Sequence, residues 1–198
     1  ISDIDLKSIP DCDGIIGGPP CQAYSTAGKR LLEDPRGKLF QEYFRILKFI
    51  QPKTFLFENV RGLISMNGGK VLIEILNLFS SLGYHVTHQV LNAADFGVPQ
   101  NRKRVIIVGT LINKKYEYPN PTHAASTSNL FSINKRSHIT LIEAIGDLPL
   151  IDSGEESEIY LFPPINKYQS LMRKDSDKLL DHNSPNHSQK LIDIMSHI

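Results

Sequence analysis

The spacing of apolar residues along the chain predicts a regular alternation of strands and helices. Short apolar or alternating runs predict four strands, at residues 13–16, 54–57, 84–91 and 104–109. Apolar residues at three- and four-residue intervals predict two amphipathic helices, at 39–50 and 71–82. Strand, helix, strand, helix and then hairpin is typical of an open, mostly parallel α/β sheet with helices on both faces.

Local signals mark the ends of these elements. Asp34 and Pro35 provide an N-cap and a first-turn proline ahead of the first helix, and Gly83 stands where a C-cap glycine belongs. The last two strands are joined by too few residues for a crossover helix, so we expect them to be antiparallel. The first strand is expected to be buried, with Cys12 in the core.

The second half of the chain has a weaker pattern. Residues 117–139 are rich in Pro, Ser, Thr and Asn and predict a surface loop. Two short helices are predicted after it, at 141–148 and 188–195, within an otherwise irregular sequence.

Composition and charge narrow the function classes. With 198 residues and 40% hydrophobic content, the chain is long enough for one α/β domain with a core. The 22 Lys and Arg balance 21 Asp and Glu, so binding to nucleic acid would need a local cleft rather than a basic surface. Two cysteines predict neither a disulfide framework nor a zinc site, and we expect no metal. No apolar stretch is long enough to span a membrane and no signal peptide is evident, so we expect a cytoplasmic protein.

Three segments place reactive side chains at one edge of the predicted sheet: two follow predicted strands and the third leads into the last strand. They are Gly18-Pro19-Pro20-Cys21-Gln22, Glu58-Asn59-Val60 and Gln100-Asn101-Arg102-Lys103-Arg104. In open α/β sheets, ligands bind outside the carboxyl ends of the strands. A cysteine beside a carboxylate and two arginines is therefore a candidate set of nucleophile, acid and orienting groups.

Four runs of sequence, in this order, carry a resemblance to a known family: GGPPCQAYSTAGKR, DPRGKLF, FLFENVRGL and LNAADFGVPQNRKRVIIVG. In order and spacing they resemble the motif series of bacterial-type DNA (cytosine-5)-methyltransferases. The resemblance is close over residues 1–110 and looser beyond. It implies a Rossmann-like, S-adenosylmethionine-dependent methyltransferase fold with a mostly parallel sheet that ends in an antiparallel hairpin.

The resemblance also implies catalytic roles. Cys21 matches the thiolate that adds to carbon 6 of a cytosine flipped out of the duplex. Glu58 matches the residue that hydrogen-bonds ring nitrogen 3 and the exocyclic amine. Arg104 matches the arginine that holds the base carbonyl, and Arg102 the one that contacts the DNA backbone and the catalytic loop. A free cysteine has a pKa of about 8.5, so neighbouring cations and loop amides should lower the pKa of Cys21.

The implied methyl donor is S-adenosylmethionine and the implied partner is duplex DNA. Four residues match positions of the cofactor pocket: Asp3, Ile4, Pro20 and Leu39. Five residues of the cysteine loop are expected to contact DNA: Gln22, Ser25, Lys29, Arg30 and Arg36.

The family's glycine-rich cofactor loop, its ribose-binding acid, its target-recognition domain and its last motif have no match in this sequence. We therefore expect residues 1–150 to be a partial catalytic domain without its N-terminal cofactor-binding part, and residues 151–198 to lead toward a target-recognition domain. A second polypeptide or a further N-terminal segment is expected to complete the fold. The sequence leaves open a tRNA cytosine-5 methyltransferase and an inactive fragment or subunit of a split enzyme.

Overall fold

The computed structural model describes residues 4–19, 39–112, 114–125, 134–176 and 178–197, without the side chains of residues 39 and 41. The strands are β1 (Gly14–Gly17), β2 (Thr54–Val60), β3 (His85–Asn92), β4 (Lys103–Thr110), β5 (His123–Ala124) and β6 (Arg136–Ser137). The α-helices are α1 (Leu39–Ile50), α2 (Lys70–Ser81), α3 (Leu141–Ile145), α4 (Lys167–Met172) and α5 (Gln189–Met195). The chain divides into a sheet unit, Ile1–Phe96 with Asn101–Thr122, and a C-terminal unit, Gly97–Gln100 with His123–Ile198.

The sheet unit is built on a four-stranded sheet with the order β1-β2-β4-β3. β1 pairs in parallel with β2, whereas β4 is antiparallel to both β2 and β3. Three strands therefore share one direction and β4 opposes them, which confirms the mostly parallel sheet ending in an antiparallel hairpin. The insertion of β4 between β2 and β3 was not predicted, because apolar spacing identifies strands without specifying their neighbours.

One face of the sheet carries an aromatic core. The Phe79 ring of α2 lies 4.6 Å from Phe55 and 5.6 Å from Phe57 of β2, centroid to centroid, and the Tyr43 ring of α1 lies 5.2 Å from Phe57. Both helices therefore cover the same face, whereas helices on both faces were expected. The strand order explains the difference, because two right-handed crossovers that advance in one direction place their helices on one side.

The helix and hairpin bounds agree closely with the pattern of apolar residues. α2 ends at Ser81, and Gly83 follows with a φ of 91°, so the predicted C-cap glycine is confirmed. The predicted burial of β1 is wrong. This strand lies at an edge of the described sheet, where Ile16 is 82% exposed, and Cys12 precedes the strand in an exposed position.

The C-terminal unit combines short elements with irregular chain. Thr140 and Glu143 form a capping box at the start of α3, and Asn166 caps α4 by accepting a hydrogen bond from the Gln169 amide. α4, a helix of six residues, was not predicted. β5 and β6 pair in parallel within the segment that predicted a loop.

The division into units follows internal contacts and falls after Thr122. The functional boundary at residue 150 concerns a different property and stays a prediction. Among the described residues, no helix has the length and apolar content to span a membrane.

Candidate active site at the carboxyl end of the sheet

The end of β2 and the start of β4 bring the Glu58 carboxylate and the Arg104 guanidinium together. Val60 pairs with Arg104 in the antiparallel register, and Glu58 lies two residues before Val60, so alternation places all three side chains on one face. The Arg104 Nε atom donates to Glu58 Oε1 at 2.9 Å, with the two side chains 23% and 37% exposed. Since Arg104 holds one carboxyl oxygen in a fixed direction, the other is available to a ligand at the rim.

The end of β1 lies beside this ion pair. A Cβ atom at Gly18 would lie 3.1 Å from Glu58 Oε2, closer than most side chains approach, so the glycine leaves room for the carboxylate. Gly18 and Pro19 lead directly into the segment that contains Cys21. The predicted acid is therefore next to the start of the cysteine loop.

Asn59 connects β2 to that loop. Its side chain is buried, its Nδ2 donates to the Pro19 carbonyl oxygen at 3.4 Å, and its Oδ1 accepts from the Val60 amide at 2.8 Å. Loss of this amide would remove its hydrogen bonds to two part-buried backbone groups, each worth about 0.5–1.5 kcal/mol. No separate role was predicted for Asn59, although its place between Glu58 and Val60 was the available signal.

Tyr43 of α1 holds β1 and β2 together from the face of the sheet that the helices cover. Its hydroxyl lies 3.2 Å from the Ile15 carbonyl oxygen of β1 and 3.0 Å from the Leu56 carbonyl oxygen of β2, to either of which it can donate. A Cβ atom at Gly17 would lie 2.5 Å from the Tyr43 ring, so only glycine fits there. Burial raises the pKa of Tyr43, which keeps the donor protonated. Helical spacing predicted Tyr43 as core but gave no sign of this bridge.

Of the other predicted site residues, the structure describes the side chains of Arg102 and Ile4, and neither forms a hydrogen bond or ion pair with Glu58 or Arg104. Arg102 is exposed just before β4, and its carbonyl oxygen accepts from the Ala93 amide. Ile4 is 42% exposed, and the side chain of Leu39 is not described. The remaining predicted residues lie outside the described ranges: Asp3, Pro20, Cys21, Gln22, Ser25, Lys29, Arg30 and Arg36.

Comparisons with known proteins connect this geometry to a family. The sequence model of one protein family, the C-5 cytosine-specific DNA methylases, matches residues 1–194, which is nearly the whole chain. The chain belongs to this family. The resemblance carried by the four motif runs is thereby confirmed, and the sheet is part of the methyltransferase fold.

Curated relatives of this methylase chain are named type II methyltransferases. M.DdeI of Desulfomicrobium norvegicum is 42% identical over 195 residues, which cover 96% of this chain and 46% of the relative. M.FnuDI of Fusobacterium nucleatum is 50% identical over 125 residues, 61% of this chain and 36% of the relative. The methylase chain thus spans less than half the length of these two relatives.

Solved structures show the same fold. A prophage-encoded E. coli protein described as a DNA modification methyltransferase has a TM-score of 0.57 and 25% identity, over 83% of this chain and 45% of that one. The methyltransferase EhMeth of Entamoeba histolytica has a TM-score of 0.51 at 22% identity, over 77% of this chain and 46% of that one, and supports the fold alone.

Proposed function

We propose that this chain carries the site that methylates carbon 5 of a cytosine flipped out of duplex DNA. The observation that carries the proposal is the Glu58–Arg104 ion pair, 2.9 Å long, at the carboxyl-end rim beside the start of the cysteine loop. Family membership supports the reaction, and the names of the relatives support a role in a type II restriction-modification system. The bacterial source of these relatives supports action in the cytoplasm, where bacterial DNA lies.

In the proposed reaction, the Cys21 thiolate forms a bond to carbon 6 of the base. The electrons of the 5,6 double bond move toward carbon 5, which becomes the nucleophile. A proton shared between the Glu58 carboxyl group and ring nitrogen 3 stabilises the negative charge that develops on this nitrogen, and Arg104 keeps the carboxyl group oriented toward the base. Carbon 5 then bonds to the methyl group that the bound donor would supply, and the donor's sulfur–methyl bond breaks with its electron pair left on the donor sulfur. Removal of the carbon 5 proton by a base re-forms the 5,6 double bond as the bond between carbon 6 and the Cys21 sulfur breaks, which returns the thiolate.

S-adenosylmethionine is the proposed methyl donor, and it supplies an electrophilic methyl group when bound. The exposed Ile4 side chain is available to contact it, and Asp3, Pro20 and Leu39 are proposed to complete the contacts on the family pattern. Arg102 is proposed to contact the DNA backbone, since its guanidinium is exposed and makes no hydrogen bond to the described residues.

A further segment, on the same polypeptide or on a second one, is proposed to complete the fold beside β1. One edge of β1 pairs with β2 and the other has no strand partner in the described part of the chain, where Ile16 is exposed. Mixing the chain with a polypeptide that supplies the glycine-rich cofactor strands should raise methyl transfer. An unchanged rate, with both pieces folded, would contradict completion in this way.

Transfer of a labelled methyl group into duplex DNA tests the proposed function. Cys21→Ser should abolish transfer, and Glu58→Gln should reduce the rate by about 10²–10³-fold, the usual effect of losing one group that stabilises charge in the transition state. Glu74→Gln is the matched control, since Glu74 is exposed on α2. Incorporation into tRNA rather than DNA would support the RNA-directed alternative and overturn the DNA assignment.

A further inference from the structure

A cleft of about 830 Å³ opens at the carboxyl-end rim of the sheet unit. Its lining includes two cationic side chains, one carboxylate and two neutral polar side chains: Arg61, Lys103, Asp95, Ser65 and Asn92. None of these five has been assigned a role in the proposed reaction. The excess of positive charge favours an anionic ligand.

Three of the lining residues follow the strand register across the rim. Val60, the last residue of β2, pairs with Arg104; Arg61 follows β2 as the first residue of a 3-10 helix, and Lys103 is the first residue of β4. Lys103 in turn pairs with Asn92 at the end of β3. Because side chains alternate along a strand, Lys103 lies on the opposite face from Arg104. The cleft and the Glu58–Arg104 pair therefore share one rim but open on different faces.

Both cationic side chains of this cleft are free to bind a ligand. Arg61 and Lys103 are exposed and their side chains form no hydrogen bond or ion pair to described residues. Asn92 Oδ1 is buried without any hydrogen-bond partner among these residues, which is uncommon for a polar atom out of contact with water. The NH₂ group at the other end of this amide is not buried in the same way, and its two donors can bind an anion in the cleft.

We propose that Arg61, Lys103 and Asn92 hold a backbone phosphate of the DNA close to the target nucleotide, as positioning residues. This inference rests on the proposed function. Lys103 and Arg104 are consecutive residues at the same rim, and their side chains lie on opposite faces of the sheet. A duplex across the rim can therefore place the target base on one face and a nearby phosphate on the other. Asp95, at the same cleft, restricts the phosphate to the cationic side.

Salt-dependent binding to a short mixed-sequence duplex tests the inference. The affinity should be measured over a range of KCl concentrations for the wild type and for the double variant Arg61→Gln/Lys103→Gln. The double variant loses the one proposed phosphate contact, so the slope of log K against log[KCl] should decrease in magnitude by about 1. The control is Lys48→Gln/Lys114→Gln, which removes two exposed charges near the opposite end of the sheet, where Thr110 contacts Lys114. Thermal unfolding of all three proteins establishes that they are folded.

Retention of the full salt slope by the folded rim variant would overturn the inference, as would absence of wild-type binding at low salt. A reduced slope in the control as well would show a general charge effect and would also overturn it. Asn92→Leu should weaken binding in the same direction without changing net charge. Failure of the proposed function has a different signature: methyl transfer would be absent in the wild type, whereas the salt slope would still differ between the rim variant and the control.

Discussion

The two units of this chain bury their side chains in different ways. The sheet unit has a continuous core of aromatic and aliphatic residues between one sheet face and two helices. In the C-terminal unit the most buried side chains are mainly polar, and they include His123, Asp147 and Gln169. Many of its large apolar side chains are exposed, Leu150 completely.

The C-terminal unit instead contains a polar cluster. The Arg173 Nη1 atom donates to Asp147 Oδ2 at 3.2 Å and to the Phe162 carbonyl oxygen at 2.8 Å. The guanidinium lies over the Tyr160 ring at 3.7 Å from its centroid. The sheet unit therefore derives its stability from apolar burial, whereas the C-terminal unit depends on a few charged and hydrogen-bonded contacts.

Removal of the central ring should produce the largest loss. Phe79→Ala should destabilise the sheet unit by about 3–5 kcal/mol, because it deletes a buried ring in contact with several others. Hydrogen exchange of the β2 and β4 amides, followed by mass spectrometry, measures the effect. Phe49→Ala on the exposed side of α1 is the control and should change stability by less than about 0.5 kcal/mol. Equal effects of the two substitutions would contradict stabilisation of the sheet unit by its aromatic core.

Removal of the cation in the polar cluster should have the next largest effect. Arg173→Leu leaves the Asp147 carboxylate, only 3% exposed, without its partner, at a cost of about 3 kcal/mol to the C-terminal unit. Exchange of the α3 and α4 amides reports the loss, and Asp147→Leu in the same chain should recover much of it. If the single variant exchanges like the wild type, the polar cluster does not stabilise this unit.

Loss of one hydroxyl in the sheet unit should have a smaller effect. Tyr43→Phe keeps the ring against Gly17 but removes the donor to the β1 and β2 carbonyl oxygens, at a cost of about 1 kcal/mol. Urea unfolding measures the cost. Because Tyr43 fixes the strands that carry Glu58 and the cysteine loop, methyl transfer should also slow. An unchanged rate and stability would show that the Tyr43 hydroxyl does not hold β1 and β2 together.

Tyr84 should change the pH dependence of stability, and this change is absent at neutral pH and develops only in alkali. Burial, and Cys12 secondarily, raise the pKa of Tyr84 to about 12. Its stabilising effect is complete below the unfolded pKa of about 10 and is lost as the pH rises through about 12, since the unfolded chain then ionises first. Urea midpoints between pH 9 and pH 11 should therefore fall less steeply in Tyr84→Phe than in the wild type. Parallel curves would contradict this assignment.

The sheet unit was largely predictable because periodic burial leaves a periodic sequence. The stripe along α2, the Gly83 cap and the β3–β4 hairpin follow from local spacing and turn chemistry. The motif order placed Glu58 and Arg104 in one site, and their ion pair agrees with that expectation. Their catalytic roles stay predictions.

The features that local sequence does not specify were missed or wrong. Strand order depends on pairing between distant segments, so the position of β4 was not predicted, and the exposure of Cys12 follows from the edge position of β1. The Asp147–Arg173 pair joins residues 26 positions apart, and no periodic pattern reports such a contact.

The most direct test of the central claim is to trap the protein on DNA and identify the attached residue. A duplex with 5-fluorocytosine in place of every cytosine of one strand, incubated with S-adenosylmethionine, blocks the final proton removal and should leave a covalent adduct. Peptide mass spectrometry should then find the methylated base on Cys21, with no adduct in Cys21→Ser. Attachment to another side chain, or no adduct although DNA and methyl donor are both bound, would contradict the account.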